Sequence, residues 1–317
     1  MPRKSPVDIG QLIQGDRIAI ARAISMVENE AEGGAELLRS VFVKTGRAYR
    51  IGITGPPGAG KSTITNKLAG HYRKQGLQVG IIAVDPTSPF TGGALLGDRV
   101  RMTDVDLDQG VFIRSMASRG SLGGLSKKAT EAVDILDAAG KDIVLMETVG
   151  VGQSELDIAG AADTTVVVLV PESGDSIQAM KAGLMEIADF FVLNKSDRAG
   201  ADQAVMAIQM ILGFRKSDGW KLDVLKAIAN DGTGIPGIAA KINEHRSYLE
   251  NTGVLSTKRS RRVEQRIREL IVDRLRVDFW TPAREALLHD RVRSVMKFQS
   301  TPYDVVAELL TDFHRGQ

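Results

Sequence analysis

The 317-residue chain contains no cysteine, so neither a disulfide framework nor a thiolate metal site is open to it. It has four histidines, His71, His245, His289 and His314, scattered along the sequence. Delivery of nickel, zinc or cobalt needs soft or imidazole ligands in clusters, which disfavours a metal-delivery role. Aromatic residues make up only 5% of the chain and the formal net charge is +2. The one basic run, Lys258-Arg259-Ser260-Arg261-Arg262, has no interleaved aromatics. It reads as a solvated helix start, and no nucleic-acid partner is expected. No apolar run approaches the ~20 residues of a membrane span, and no apolar signal core follows Met1-Pro2-Arg3-Lys4. These absences lead to the expectation of a soluble, cytoplasmic protein without a membrane partner. Internal repeats and low-complexity segments are also lacking.

What is present begins with Gly55-Pro56-Pro57-Gly58-Ala59-Gly60-Lys61-Ser62-Thr63, which fits the G-x-x-x-x-G-K-[ST] phosphate-loop pattern without a mismatch. The apolar run Tyr49 to Thr54 reads as a strand before it, and Ile64 to Tyr72 as a helix after it. In that frame successive backbone N–H groups form an anion site at a helix N-terminus. Lys61 adds a positive charge, and the Ser62 hydroxyl is a candidate ligand for Mg²⁺. A nucleoside triphosphate is the expected ligand.

Phe190-Phe191-Val192-Leu193 reads as a buried strand running into Asn194-Lys195-Ser196-Asp197, the N-K-x-D pattern of guanine-nucleotide sites. The Asp197 carboxylate can accept hydrogen bonds from the guanine imino N–H and exocyclic amine, a donor pair that adenine lacks. A site built this way leaves a polar group unpaired when the wrong base enters, worth roughly 10²- to 10⁴-fold in selectivity. Asp223 to Ile228 reads as a further strand, and Ile228-Ala229-Asn230 before Gly232 and Gly234 takes the place of the loop whose backbone touches the guanine carbonyl. Ile228 stands where serine is usual, and an ordinary glycine turn remains the alternative.

Asp142 to Met146 is another apolar strand, ending in Glu147-Thr148-Val149-Gly150 at the place of a D-x-x-G element, with Glu for Asp. Strand C-termini are where ligands of open α/β sheets collect. Glu147 is expected to hold Mg²⁺, Gly150 to meet the γ-phosphate, and Val151 to Glu155 to form a mobile switch. Lys61, Glu147, Gly150 and Gln153 form the candidate catalytic set. Many small GTPases place a water-orienting glutamine directly after that glycine. Val151 occupies the position here and Gln153 comes two residues later, so slow intrinsic hydrolysis is expected. Asp85, at the end of the strand from Val79, and Asp98, in the loop before Arg99, are further Mg²⁺ candidates; capping or turn formation is their alternative. Arg99, Arg101, Arg114 and Arg119 are candidates to neutralise transition-state charge.

Taken together, Gly55 to Thr63, Val84-Asp85-Pro86-Thr87-Ser88, Gly97-Asp98-Arg99, Glu147-Thr148-Val149-Gly150-Val151-Gly152-Gln153-Ser154-Glu155 and Asn194 to Asp197 resemble the MeaB/ArgK GTPases. These are guanine-nucleotide-dependent chaperones of adenosylcobalamin-dependent acyl-CoA mutases such as methylmalonyl-CoA mutase. The resemblance extends over nearly the whole chain, from Gly15-Asp16-Arg17 to the C-terminal tail. It implies GTP and GDP as ligands with Mg²⁺, a first switch containing Asp85 and Asp98, and a second from Glu147 through Gln153. A third switch is implied within Pro171 to Lys181, where Asp175, Gln178 and Lys181 would respond to the mutase. Read from residues alone, that segment is a loop in which Asp175 or Ser176 caps the next helix. Cobalamin itself is not an expected ligand, since no D-x-H-x-x-G motif is present. A P-loop kinase is the other function class, and it has no need of Asn194 to Asp197.

The fold expected is α/β, a doubly wound, mostly parallel sheet of the P-loop NTPase type with helical extensions at both ends. The divisions read as 1–47 for the N-terminal helices, 48–252 for the nucleotide domain and 253–317 for a C-terminal arm. Leu12, Ile13, Ile20, Ile24 and Val27 give an apolar stripe in the first part. Val263, Ile267, Leu270, Ile271 and Leu275 give one in the last. Such stripes usually pack within their own chain, but the family resemblance favours a homodimer built on the C-terminal one.

Overall fold

A computed structural model describes residues 7–85, 105, 107–117, 127–148, 154–171, 183–214 and 219–315, with the backbone alone for 85, 117, 127 and 154–156. Asp98, Gly150, Gln153, Asp175, Gln178 and Lys181 lie outside the described residues, as do Arg99, Arg101 and Arg119. The chain divides into two units, Met1–Ser256 and Thr257–Gln317.

Seven parallel strands run through the first unit: β1 (Tyr49–Thr54), β2 (Val79–Asp85), β3 (Val111–Ala117), β4 (Ile143–Thr148), β5 (Thr164–Leu169), β6 (Phe190–Leu193) and β7 (Val224–Lys226). Their order across the sheet is β3-β2-β4-β1-β5-β6-β7, and every neighbouring pair is parallel. The order reverses around β1, so the sheet has its crevice beyond the C-terminal ends of β1 and its neighbours. All residues of β1, β4, β5 and β6 are buried, as expected of parallel strands covered on both faces.

The period-two alternation of these strands sorts their side chains between two layers. Val144 and Met146 of β4 join one core with Ile82, Val84, Phe112 and Met116. That core is covered by α1 (Ile9–Ile13), α2 (Arg17–Glu28), α3 (Gly34–Phe42), α5 (Lys127–Ala138) and α6 (Ser154–Ala161). Ile143 and Leu145 face the opposite core with Ile51, Ile53, Ile81 and Val166, under α4 (Lys61–Lys74) and α9 (Ile235–Asn251). A third cluster joins Val167 and Leu169 to Phe191 and Leu193 beneath α7 (Leu184–Ile187) and α8 (Ala201–Gly213).

The N-terminal stripe is two helices rather than one. Asp16 accepts a bond from the Ala19 amide at 2.7 Å and restarts the chain as α2 after Gly15. Leu12, Ile20, Ile24 and Val27 are buried, whereas Ile13 is exposed. These helices are tied to the sheet through α5, where the Asp137 carboxylate accepts the amides of Gly46, Arg47 and Ala48. Arg50 of β1 pairs with Asp134 at 2.7 Å.

The second unit consists of the remainder of α10 (Val254–Phe279), α11 (Pro282–Met296) and α12 (Pro302–Arg315). Its small interior centres on Arg284, Val305 and Leu309. The Arg284 guanidinium bonds Asp312 and the Phe279 carbonyl and lies over the Phe313 ring. By contrast α10, 26 residues long, contains no buried residue. Among the described residues no helix is long and apolar enough to cross a membrane.

Candidate nucleotide-binding site

The phosphate loop leaves β1 at Gly55, whose φ is 136°. A Cβ there would stand 2.1 Å from the Val168 carbonyl oxygen, so the loop can depart beside β5 only with glycine at this position. Gly60, with φ at 89°, sits at the start of α4, where a Cβ would stand 2.3 Å from Asn194 Nδ2. No side chain caps α4. Helix geometry leaves the first N–H groups of any α-helix without intrahelical acceptors, which suits this turn to an anion.

Two side chains of the loop are fixed by hydrogen bonds, one within the loop and one to β4. Lys61 is buried, and its Nζ donates to the carbonyls of Gly55 at 2.8 Å and Pro56 at 2.9 Å. The Ser62 hydroxyl donates to Glu147 Oε1 at 2.5 Å, and both residues are buried. The parallel register explains this meeting. Ile53 is paired with Glu147, so the tip of β4 lies beside the root of the phosphate loop. One residue further, the hydroxyls of Thr54 and Thr148 are 3.0 Å apart and tie the two strand ends together. Asp85 closes β2 one residue beyond Val84, which pairs with Thr148, so its backbone reaches the same edge.

The base side is wired to the phosphate side through Asn194. Its Nδ2 donates to the Ala59 carbonyl at 2.8 Å, and its Oδ1 accepts the Ala229 amide at 3.0 Å. Lys195 adopts a left-handed φ of 57° and donates from Nζ to the Gly58 carbonyl at 2.8 Å. The Ser196 amide donates to the Ala227 carbonyl. These bonds bring Ala59, Asn194 and Ala229 into one assembly, with Asp197 exposed beside it. Its carboxylate has no hydrogen-bond or ion-pair partner among the described residues.

Ile228 is half-buried, Ala229 buried and Asn230 exposed. An antiparallel bridge between Ile228 and Thr233 closes this loop. Bonds from the Thr233 amide and hydroxyl hold the Asp231 carboxyl below its ordinary value.

The sequence motifs for phosphate, base and the strand-end acid therefore converge at one edge of the sheet, while Gly150, Gln153 and Asp98 fall outside the described residues. Arg114 is not free to join them. Its guanidinium bonds Glu28 at 2.5 Å and Ser25 at 3.1 Å, fastening β3 to α2. Sequence reading missed the Thr54–Thr148 tie and the joining role of Asn194. The hydroxyl immediately preceding Gly55 and the hydroxyl immediately following Glu147 were the available signals for the first.

Comparison with known proteins agrees with this geometry. Residues 20–283 match the family model described as methylmalonyl Co-A mutase-associated GTPase MeaB. A protein of Pyrococcus abyssi named as a GTPase is 46% identical over 97% of this chain and 96% of its own. The GTPase ArgK of Escherichia coli K12 is 37% identical over 82% of each. The solved structure of an LAO/AO transport system kinase superposes with a TM-score of 0.72 at 29% identity, covering 96% of both chains.

Proposed function

Since the chain belongs to the MeaB family of GTPases, binding GTP and GDP and hydrolysing GTP, we propose that its GTP cycle serves an adenosylcobalamin-dependent acyl-CoA mutase. It gates cofactor loading and protects or reactivates that enzyme, which is methylmalonyl-CoA mutase or a relative. The family's description names this mutase. The observation that carries the reading is the 2.5 Å contact between Ser62 and Glu147. It couples the phosphate loop directly to the C-terminal end of β4, where a change at the phosphates can be passed on. A ligand biases a partner only through such differential contacts.

The same contact tests the fit of Mg²⁺. Ser62 and Glu147 supply hard oxygen donors at the phosphate edge, with Asp85 closing the neighbouring strand, and this donor set suits the ion. Ser62 and Glu147 would hold it, with Asp85 and Asp98 as further ligands, directly or through water. When bound, the ion would neutralise phosphate charge. The chain's own residues do the rest. Gly55 to Thr63 surround the phosphates, and Lys61 exchanges its loop carbonyls for phosphate oxygens. Gly150 meets the γ-phosphate, Gln153 belongs to the catalytic set with the mutase supplying or reorganising the missing water-orienting group, and Asp197 selects guanine beside Ile228, Ala229 and Asn230. With Val151 after Gly150, unassisted hydrolysis is slow. Asp175, Gln178 and Lys181 respond to the mutase. The protein acts in the cytoplasm as a homodimer joined through its C-terminal arm.

A P-loop kinase is the competing reading, because the solved relative is named as a kinase. Calorimetry separates them. GTP binds in preference to ATP, and Asp197→Ala removes that preference by roughly 10²- to 10⁴-fold. The mutase then binds the GTP and GDP forms with affinities differing at least about fivefold. Equal mutase affinity in both nucleotide states overturns the chaperone reading. An unchanged base preference in Asp197→Ala, with phosphate appearing on an acceptor, establishes the kinase.

A further inference from the structure

Period-two alternation sends consecutive residues at the tips of β1 and β4 to opposite faces of the sheet. Ile53 belongs to the core under α4, and its register partner Glu147 accepts the Ser62 hydroxyl of α4 on that face at 2.5 Å. Thr54 and Thr148, one residue further along, therefore point to the other face. Met146, two residues before Thr148, lies in the core there. Gly52, two residues before Thr54, is approached so closely by α6 that a Cβ on it would stand 2.8 Å from Ile158 Cγ1. The two strand tips are thus joined twice, once on the α4 face and once on the α6 face.

The two ties differ in what they are made of. On the α4 face the partners are a phosphate-loop hydroxyl and a carboxylate, both candidate ligands for Mg²⁺, so this contact answers to the ligand. On the α6 face the hydroxyls of Thr54 and Thr148 meet at 3.0 Å, and both residues are 0% exposed. Neither hydroxyl has another partner among the described residues, and neither is a ligand candidate.

The second tie also stands where the backbone stops. The register between β1 and β4 ends at Ile53 with Glu147, while Thr54 is still paired with Val167 of β5 and Thr148 with Val84 of β2. Beyond that last pair the hydroxyl bond takes over from the ladder. Valine has the same shape, suits a strand and brings no polar group to desolvate. Burial alone therefore does not call for two threonines.

We propose that Thr54 and Thr148 are positioning residues for GTP hydrolysis: their bond pins the tip of β4 to the root of the phosphate loop while the Ser62–Glu147 contact changes with the ligand. A displacement at Glu147 is then passed on along the chain rather than taken up by sliding of β4 against β1. Misplacement by about 1 Å costs as much as roughly 10²-fold in rate, so the pin acts on the chemical step more than on binding. This rests on the placement of Mg²⁺ at Ser62 and Glu147.

The test follows melting, affinity for a fluorescent GTP analogue and single-turnover GTP hydrolysis in the full-length chain. Thr148→Val leaves the Thr54 hydroxyl buried without its partner, so the melting midpoint falls. Affinity for the analogue stays within about threefold, while hydrolysis slows by about tenfold or more. Thr54→Val with Thr148→Val removes both hydroxyls and returns the midpoint toward that of the wild type, yet hydrolysis stays slow. Thr148→Ser keeps the hydroxyl and loses a buried methyl, so its midpoint falls while its rate remains within about threefold of the wild type. Stability and rate thus part company in both directions. A rate that recovers with the midpoint in the double variant shows a merely structural tie and overturns the inference. So does an unchanged rate in Thr148→Val, or a loss of affinity as large as the loss of rate. A wild-type chain that binds the analogue equally with and without Mg²⁺ removes the ion from Ser62 and Glu147, and this inference falls with that placement.

Discussion

Met1–Ser256 covers both faces of its sheet with helices, whereas Thr257–Gln317 keeps its longest helix uncovered. In the first unit Leu145, Ile51 and Val166 are wholly buried. In the second, Val263, Ile267, Leu270, Ile271 and Leu275 of α10 are between 43% and 53% exposed, although their periodicity is that of a core-facing stripe. The same pattern therefore has two fates. One region has finished its folding within a single chain. The other carries a partly exposed apolar stripe, which the homodimer proposed above would cover.

The sharpest way to break this contrast is to place the same charge in both regions. Leu145→Asp puts a carboxylate into the middle of β4 with no cation to meet it. A loss of about 3–5 kcal/mol or more leaves little folded protein, visible in circular dichroism. Ile271 is 53% exposed, so Ile271→Asp changes the unfolding of Met1–Ser256 by less than about 0.5 kcal/mol. The same variant converts dimer to monomer in sedimentation. If it instead unfolds the chain, the distinction between a closed unit and an open one fails.

Gly60→Ala probes the closed unit where it is tightest. A Cβ 2.3 Å from Asn194 Nδ2, on a backbone at φ 89°, must push Asn194 off the Ala59 carbonyl. The phosphate loop and the base loop are then no longer joined. GTP affinity falls about a hundredfold or more, read by titration with a fluorescent GTP analogue. The α10–α12 unit is unaffected, so dimer dissociation stays as in the wild type.

How much of this was legible beforehand follows the same division. The runs Tyr49–Thr54, Ile143–Thr148 and Phe190–Leu193 announce themselves because buried parallel strands need continuous apolar residues, and each ends in a motif whose chemistry belongs at a strand tip. The contact from Ser62 to Glu147 follows once β1 and β4 are neighbours, but strand order is set by packing between segments far apart, which periodicity does not encode. The tie from Ala59 through Asn194 to Ala229 is still less visible, since it joins positions 135 and 35 residues apart through one carboxamide. Gly15-Asp16 was readable as a cap, yet the apolar spacing from Leu12 to Val27 ran across it and concealed the break between α1 and α2. The stripe on α10 was plain in sequence. Its exposure was not, because hydrophobic periodicity reports a face and says nothing of what lies against it.

The smallest effect expected concerns a charge held inside the closed unit. Lys141, buried before β4, donates from Nζ to the Gly110 carbonyl and to Gln78. Burial, followed by repulsion from Arg17 and Arg73, lowers its pKa from 10.5 to about 8. Below pH 8 the amine is charged in both folded and unfolded chains, so the penalty of burying the charge is present in full. Between pH 8 and 10.5 the folded chain gives up the proton first, the unfolded chain binds more protons, and this residue's contribution to stability rises with pH. Tyr49 and Tyr72, whose pKa values burial raises, act in the opposite sense above pH 10, so the useful window is pH 8 to 10. In Lys141→Met the rise disappears, and the difference between the two melting curves against pH isolates it. The charged pairs of α11 and α12, such as Arg291 with Glu308, are solvent-screened and contribute little across that window. A pH dependence equal in wild type and Lys141→Met would place it outside this buried amine and remove one of the physical differences between the two units.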